Sequence, residues 1–145
     1  MTVSSPRMPG RKSADPPSAI LAKLRPICLG LPEAYEEAAW VGSRWRVRKH
    51  TFAHVLVVES GWPPAYARAA GADGPLTVLT FRTPTPERFQ PPQVQPPFFW
   101  PGWFADLAGV AIDSATDWDE VAELVTDSWR LLAPRDLVRR FDADG

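Results

Sequence analysis

Arg44, Arg46 and Arg48 alternate with Trp45 and Val47, and Lys49 and His50 follow before the chain turns apolar over residues 52–58. Side chains along a β-strand point alternately to opposite faces. In a strand the three arginines therefore share one face, with Trp45 and Val47 on the other. A guanidinium presents a planar fork of N–H donors that matches phosphate, and neighbouring cations reinforce one another there. The pattern nominates Arg44, Arg46, Arg48, Lys49 and His50 as contacts for nucleic acid or another anion. The solvated outer face of an antiparallel sheet also carries charge as a matter of course, so the spacing alone leaves both readings open. Nothing in it identifies contacts to base edges, which sequence-specific recognition would need.

Residues with catalytic or metal-binding potential are few. His50 and His54 are the only histidines. Four residues apart on an extended strand, they share a face with about 13 Å between them. Metal–nitrogen bonds near ~2 Å cannot join the two on one ion. Cys28 is the only cysteine, which rules out an intrachain disulfide and fits a reducing compartment. With no histidine close to it in sequence, it reads as a small buried hydrophobe. Asp117, Asp119 and Glu120 look like a carboxylate cluster, but capping of a helix start explains all three. Glu33, Glu36 and Glu37 form a second acidic group that would hold a hard cation only weakly. No glycine-rich phosphate loop of recognised spacing is present. The sequence thus nominates no catalytic residue, no metal site and no cofactor, and an enzyme is disfavoured.

The chain of 145 residues is 45% hydrophobic with a net charge of −1, which suits a globular domain and argues against adhesion to polyanions over its whole surface. The charge is uneven. Residues 1–60 hold nine Lys/Arg against five Asp/Glu, whereas residues 61–145 hold seven against twelve, so one face can be basic on a neutral chain. The first residues lack the apolar stretch of a signal peptide. No apolar run approaches the roughly 20 residues that span a bilayer. A soluble cytoplasmic protein without membrane contact is expected.

Residues 1–16, polar and proline-bearing, read as a disordered tail, leaving residues 17–145 as one domain. Ser18 is placed to cap a first helix bearing Ile20, Leu21, Leu24 and Cys28, with Pro26 set to kink or shorten it. An acidic segment runs to Glu37. Trp40-Val41 and the arginine stretch read as two short strands joined at Gly42-Ser43, and residues 52–58 and 76–81 as two more. Without long helical crossovers between them, an antiparallel meander is favoured.

Residues 84–101 carry seven of the 17 prolines and read as a stiffened loop pinned by Phe98, Phe99 and Trp100, or less plausibly as a polyproline ligand. Residues 103–107 read as a last strand. Asp117 and Glu120 open the clearest helix, with Trp118, Val121, Ala122, Val125, Trp129 and Leu132 at helical spacing. Pro134 starts a terminal helix with Leu137, Val138 and Phe141 on one side. The fold class expected is α+β: a twisted antiparallel sheet with helices packed on one face, including N-terminal and C-terminal helices.

Two blocks resemble the YjbR/MmcQ family. The first is Leu31-Pro32-Glu33-Ala34, then Trp40, then residues 45–53, matching a Leu-Pro element, a short strand and a basic turn that enters Phe-Ala. The second is Pro101-Gly102-Trp103, then residues 117–121, then Ser128-Trp129-Arg130-Leu131-Leu132-Ala133-Pro134, matching a Gly-Trp strand, an acidic helix start and a Ser-Tyr pair. Trp129 stands where the family commonly has Tyr, which removes a phenolic hydroxyl. The resemblance spans roughly residues 18–141. It implies helices on a twisted antiparallel sheet, an architecture shared with the frataxin/CyaY group, and a DNA-binding-like label. Fold alone does not establish that activity. The reading that results is a non-enzymatic nucleic-acid-binding protein acting through the basic strand face. The alternative is a protein-interaction or small-ligand module using the Trp/Phe-rich loops. Exposure of Trp62 and Trp100 beside the arginines would favour the second.

Overall fold

The computed structural model describes residues 14–144, so the tail read over residues 1–16 lies outside the described residues but for its last three. A helix α1 (Ser18–Leu29) leads into strands β1 (Ala34–Ala38), β2 (Ser43–Val47) and β3 (His50–Val58). A short helix α2 (Pro64–Ala70) and strand β4 (Leu76–Arg82) follow, then a two-residue strand β5 (Phe98–Phe99) and β6 (Leu107–Ile112). Helices α3 (Trp118–Leu132) and α4 (Arg135–Asp144) end the chain. The strands form one sheet in the order β1-β2-β3-β4-β6-β5, every neighbouring pair antiparallel.

Strands β2, β3 and β4 run as the expected antiparallel meander, with α2, which the sequence reading did not place, between the last two. Three details differ from the sequence reading. The acidic segment forms an edge strand, β1, whose Glu37 faces Arg44 across the ladder. Trp40-Val41 lies in the turn between β1 and β2. Trp103-Phe104 lies in a loop, and the strand begins only at Leu107. Aromatic residues favour strands, which drew the reading too early. Gly109, in the middle of β6, weakened the true signal. A Cβ there would meet the ring of Phe99 at 2.3 Å, so only glycine lets β5 lie against β6.

The helices α1, α3 and α4 cover one face of the sheet. Leu24, Cys28, Trp45, Val47, Val55, Leu79, Phe81, Val110, Val121, Val125, Trp129 and Leu137 are buried there in one cluster. Leu24 and Cys28 are the buried residues of α1, and Ser18 begins that helix without a side-chain cap. Asp117 does cap α3, its Oδ1 accepting from the amides of Asp119 and Glu120. The Pro-rich segment is pinned as expected: Phe89 and Phe99 are buried, and the Phe89 ring packs edge-on against Phe81 and Phe98.

The second face is only partly covered. Val41, Leu56, Val58, Ala67, Val78 and Phe99 form a smaller cluster beneath α2, with Trp62 and Tyr66 packed on it. Toward β1 and β2 no described helix covers this face.

Candidate functional site

The uncovered part of the second face is set by a single irregularity in β3. The β2–β3 register passes from Trp45↔Ala53 to Arg46↔Thr51, so Phe52 is an extra residue, a β-bulge. Directly paired residues share a face. His50 pairs with Val47 and His54 pairs with Arg44, so the two histidines stand on opposite faces, not on one. The bulge is fastened from behind: the Ser128 hydroxyl donates to the Phe52 carbonyl at 2.7 Å and accepts from the Arg82 amide at 2.9 Å. Its neighbour Trp129 donates its indole N–H to the Pro32 carbonyl at 3.1 Å. The tryptophan therefore keeps a polar anchor where a tyrosine hydroxyl was expected. These two residues tie α3 to β3, β4 and the turn that carries Glu33.

Ahead of that brace, one ladder row crosses the whole sheet: Glu37, Arg44, His54, Thr80 and Gly109, with Phe99 at its end. A second row holds Tyr35, Arg46 and Thr51. Arg44, His54 and Thr80 of the first row, with Thr51 and Arg82, floor a cleft of about 310 Å³, with Trp40, Tyr66, Trp103 and Phe104 around it. Its walls brace one another. Tyr66 meets the His54 ring edge-on at 6.0 Å and the Trp103 ring at 5.3 Å, and Trp40 packs on Trp62 at 5.5 Å. The Arg82 guanidinium lies 4.6 Å above the Phe104 ring, held by Asp106 at 2.6 Å.

Of the six exposed large hydrophobic residues among those described, Tyr35, Trp40, Trp103 and Phe104 all stand on this face or at its rim. Trp40 is 78% exposed. Trp62 and Trp100, by contrast, are half-buried and pack against the two cores. The condition set on Trp62 and Trp100, exposure beside the arginines, is therefore not met, and the exposed rings are other ones.

The five nominated residues separate. Arg44 and Arg46 project together on the open face. Arg48 and Lys49 form the β2–β3 turn at its edge, Arg48 with φ of 56°, and His50 is exposed at the start of β3 on the other side. The arginines are not bare. Arg44 donates from Nε to Glu37 Oε1 at 2.7 Å and Arg46 from Nη1 to the same oxygen at 3.2 Å. Arg48 pairs with Glu33 at 2.6 Å. Hydrogen bonds from these arginines hold Glu33 and Glu37 below the usual carboxylate range. Glu36 points to the opposite face, where Arg25 and the Trp45 indole hold its carboxyl low. The three glutamates thus point apart and each has an arginine partner, an arrangement that suits cross-strand pairing and not a shared ion. Cys28 is buried, and desolvation pushes its thiol up, away from reactivity.

His54 is the floor's titratable group. Its Nε2 lies 2.6 Å from the Val41 carbonyl and must carry the proton, since a carbonyl only accepts. Burial pushes the imidazole below its ordinary value, outweighing the Val41 hydrogen bond. The ring is a neutral, oriented part of the floor.

A sequence model of the family described as YjbR matches residues 29–131. The match takes in the cleft floor, the brace residues Ser128 and Trp129, and both acidic partners of the arginines. A search of curated proteins finds no match. Among solved structures, a protein from Pseudomonas syringae is similar at 15% identity, with 70% of this chain and 78% of that one covered, at a TM-score of 0.47. No helix among the described residues is long and apolar enough to cross a membrane.

Proposed function

The chain belongs to the YjbR family, and from that premise we propose a non-enzymatic binding protein whose open sheet face takes a polyanion, the backbone of nucleic acid. One observation carries the reading: on a chain of net charge −1, Arg44, Arg46 and Arg82 stand on one face with Arg48 and Lys49 in the turn at its edge, and among the described residues Glu33, Glu37 and Asp106 are the carboxylates ion-paired to them. Two arginines share Glu37; Arg46 also gives Nη2 to the Lys49 carbonyl, so it is chiefly the Arg44 fork that retains capacity for phosphate oxygens beyond that carboxylate. Phosphate contact then proceeds by exchange, with guanidinium groups turning from Glu37 to the incoming anion. Exchange costs affinity, and the face suits modest, salt-sensitive binding by residues 17–145 acting as one unit. A cytoplasmic location would give it access to such a ligand.

The second reading, a protein-interaction module, draws on the exposed rings of Trp40, Trp103 and Phe104. The two differ in salt dependence, since an apolar interface changes little with ionic strength while phosphate contacts release counterions. Fluorescence anisotropy with labelled oligonucleotides between about 50 and 200 mM salt tests the proposal. Wild-type binding should weaken steeply over that range, and Arg44→Ser/Arg46→Ser should abolish it while keeping its fold. Salt-insensitive binding, or none, would remove the proposal.

A further inference from the structure

The cleft on this face has a chemistry that backbone contact does not use. Rings of Trp40, Tyr66, Trp103 and Phe104 stand around a floor of Arg44, Thr51, His54 and Thr80, whose hydroxyls and guanidinium N–H groups can meet the polar edge of a planar ring. Its volume of about 310 Å³ lies at the small end of ligand sites. It has room for a base, not for a double helix. In a duplex the bases are stacked upon one another, so their flat faces cannot reach these walls. An unpaired base offers a π-face to any aromatic ring, whatever its identity.

We infer that the cleft receives an unpaired base and that the protein consequently prefers single-stranded nucleic acid to duplex. The inference rests on the polyanion reading above. The division of labour follows the strand: Arg44 sits in the cleft floor, while Arg46, Arg48 and Lys49 carry positive charge away from it along β2 and into the turn. A backbone following that line keeps phosphates on the basic residues while one base turns inward. Arg82 adds a cation over the Phe104 ring, held there by Asp106. Recognition by stacking predicts little dependence on which base is presented.

The test compares three ligands by anisotropy at one salt concentration: a single strand of roughly 12 nucleotides, its duplex, and the same strand with abasic central positions. Wild-type protein should bind the intact strand about tenfold tighter than either other ligand, the loss expected when a stacked base is removed. Trp40→Leu and Trp103→Leu should erase much of that preference and leave the salt slope unchanged. Equal binding of all three with the salt slope intact would overturn the cleft assignment and spare the backbone reading. Absence of binding to any would overturn both. The abasic comparison needs no variant, so a misfolded tryptophan substitution does not blunt it.

Discussion

Ser128→Ala is the sharpest test of how the fold builds the site. The hydroxyl is fully buried and makes two hydrogen bonds, to the Phe52 carbonyl at 2.7 Å and from the Arg82 amide at 2.9 Å. Alanine removes one oxygen and almost no volume, so the cavity contribution is small. What remains is an acceptor on the bulge and a donor at the end of β4, both losing this partner in a dry interior. Leaving a buried polar group unsatisfied costs about 1–3 kcal/mol each, so a total of about 2–6 kcal/mol is expected. That is a large part of the 5–15 kcal/mol, roughly, by which domains are stable. With about 3 °C of melting temperature per kcal/mol for a chain of this size, the drop should be roughly 6–18 °C. Urea unfolding gives the free energy directly, and amide exchange at Arg82 and Thr51 reports whether the bulge loosens. A variant that melts within about 2 °C of wild type, with unchanged exchange, would refute the brace.

Four further outcomes follow from the same contacts. Val125→Asp should unfold the protein, because an unpaired charge at a fully buried position of α3 costs several kcal/mol, on the order of total stability; unchanged melting would displace α3 from the core. Asp117→Ala should cost about 1 kcal/mol by thermal melting through loss of the α3 cap. Glu37→Gln should tighten oligonucleotide binding, since the arginines that share its carboxylate no longer exchange it for phosphate; unchanged or weaker binding would mark the pairs as purely structural. Stability should fall as pH drops below about 6.5, because His54 is held neutral by burial while the unfolded chain takes up the proton. His54→Asn should flatten that window, and the arginine-paired glutamates, whose folded values are lowered, should lose their contribution only below the ordinary carboxylate range near about 4.3.

What could be read before the structure, and what could not, divides along sequence distance. The amphipathic spacing of α3, its Asp117 cap and the apolar run of β3 are local, and each stands where the residues put it. The alternation of Arg44 and Arg46 against Trp45 and Val47 is equally local and holds. The bulge at Phe52 depends on Ser128, 76 residues away, so no window of sequence around His50 and His54 reveals that the two histidines part company. The acidic residues of β1 do not look like a strand in isolation. Pairing of Glu37 with Arg44 across the ladder is what makes an exposed edge of that composition tolerable. The same pairing explains why a run of arginines conspicuous in sequence is partly neutralised in space. The cleft was not legible because Tyr66, Trp103 and Arg82 reach it from α2, the loop before β6 and β4.

The open face as the site of nucleic-acid contact can be read most directly from the side chains themselves. In a nitrogen-15 spectrum, addition of a single-stranded oligonucleotide should shift the Nε–H signals of Arg44 and Arg46 and the indole N–H signals of Trp40 and Trp103. The indoles of Trp45 and Trp129, buried on the helix face, should stay where they are. Binding that leaves the four open-face signals unmoved, or that perturbs the helix-face indoles instead, would contradict the assignment of this face.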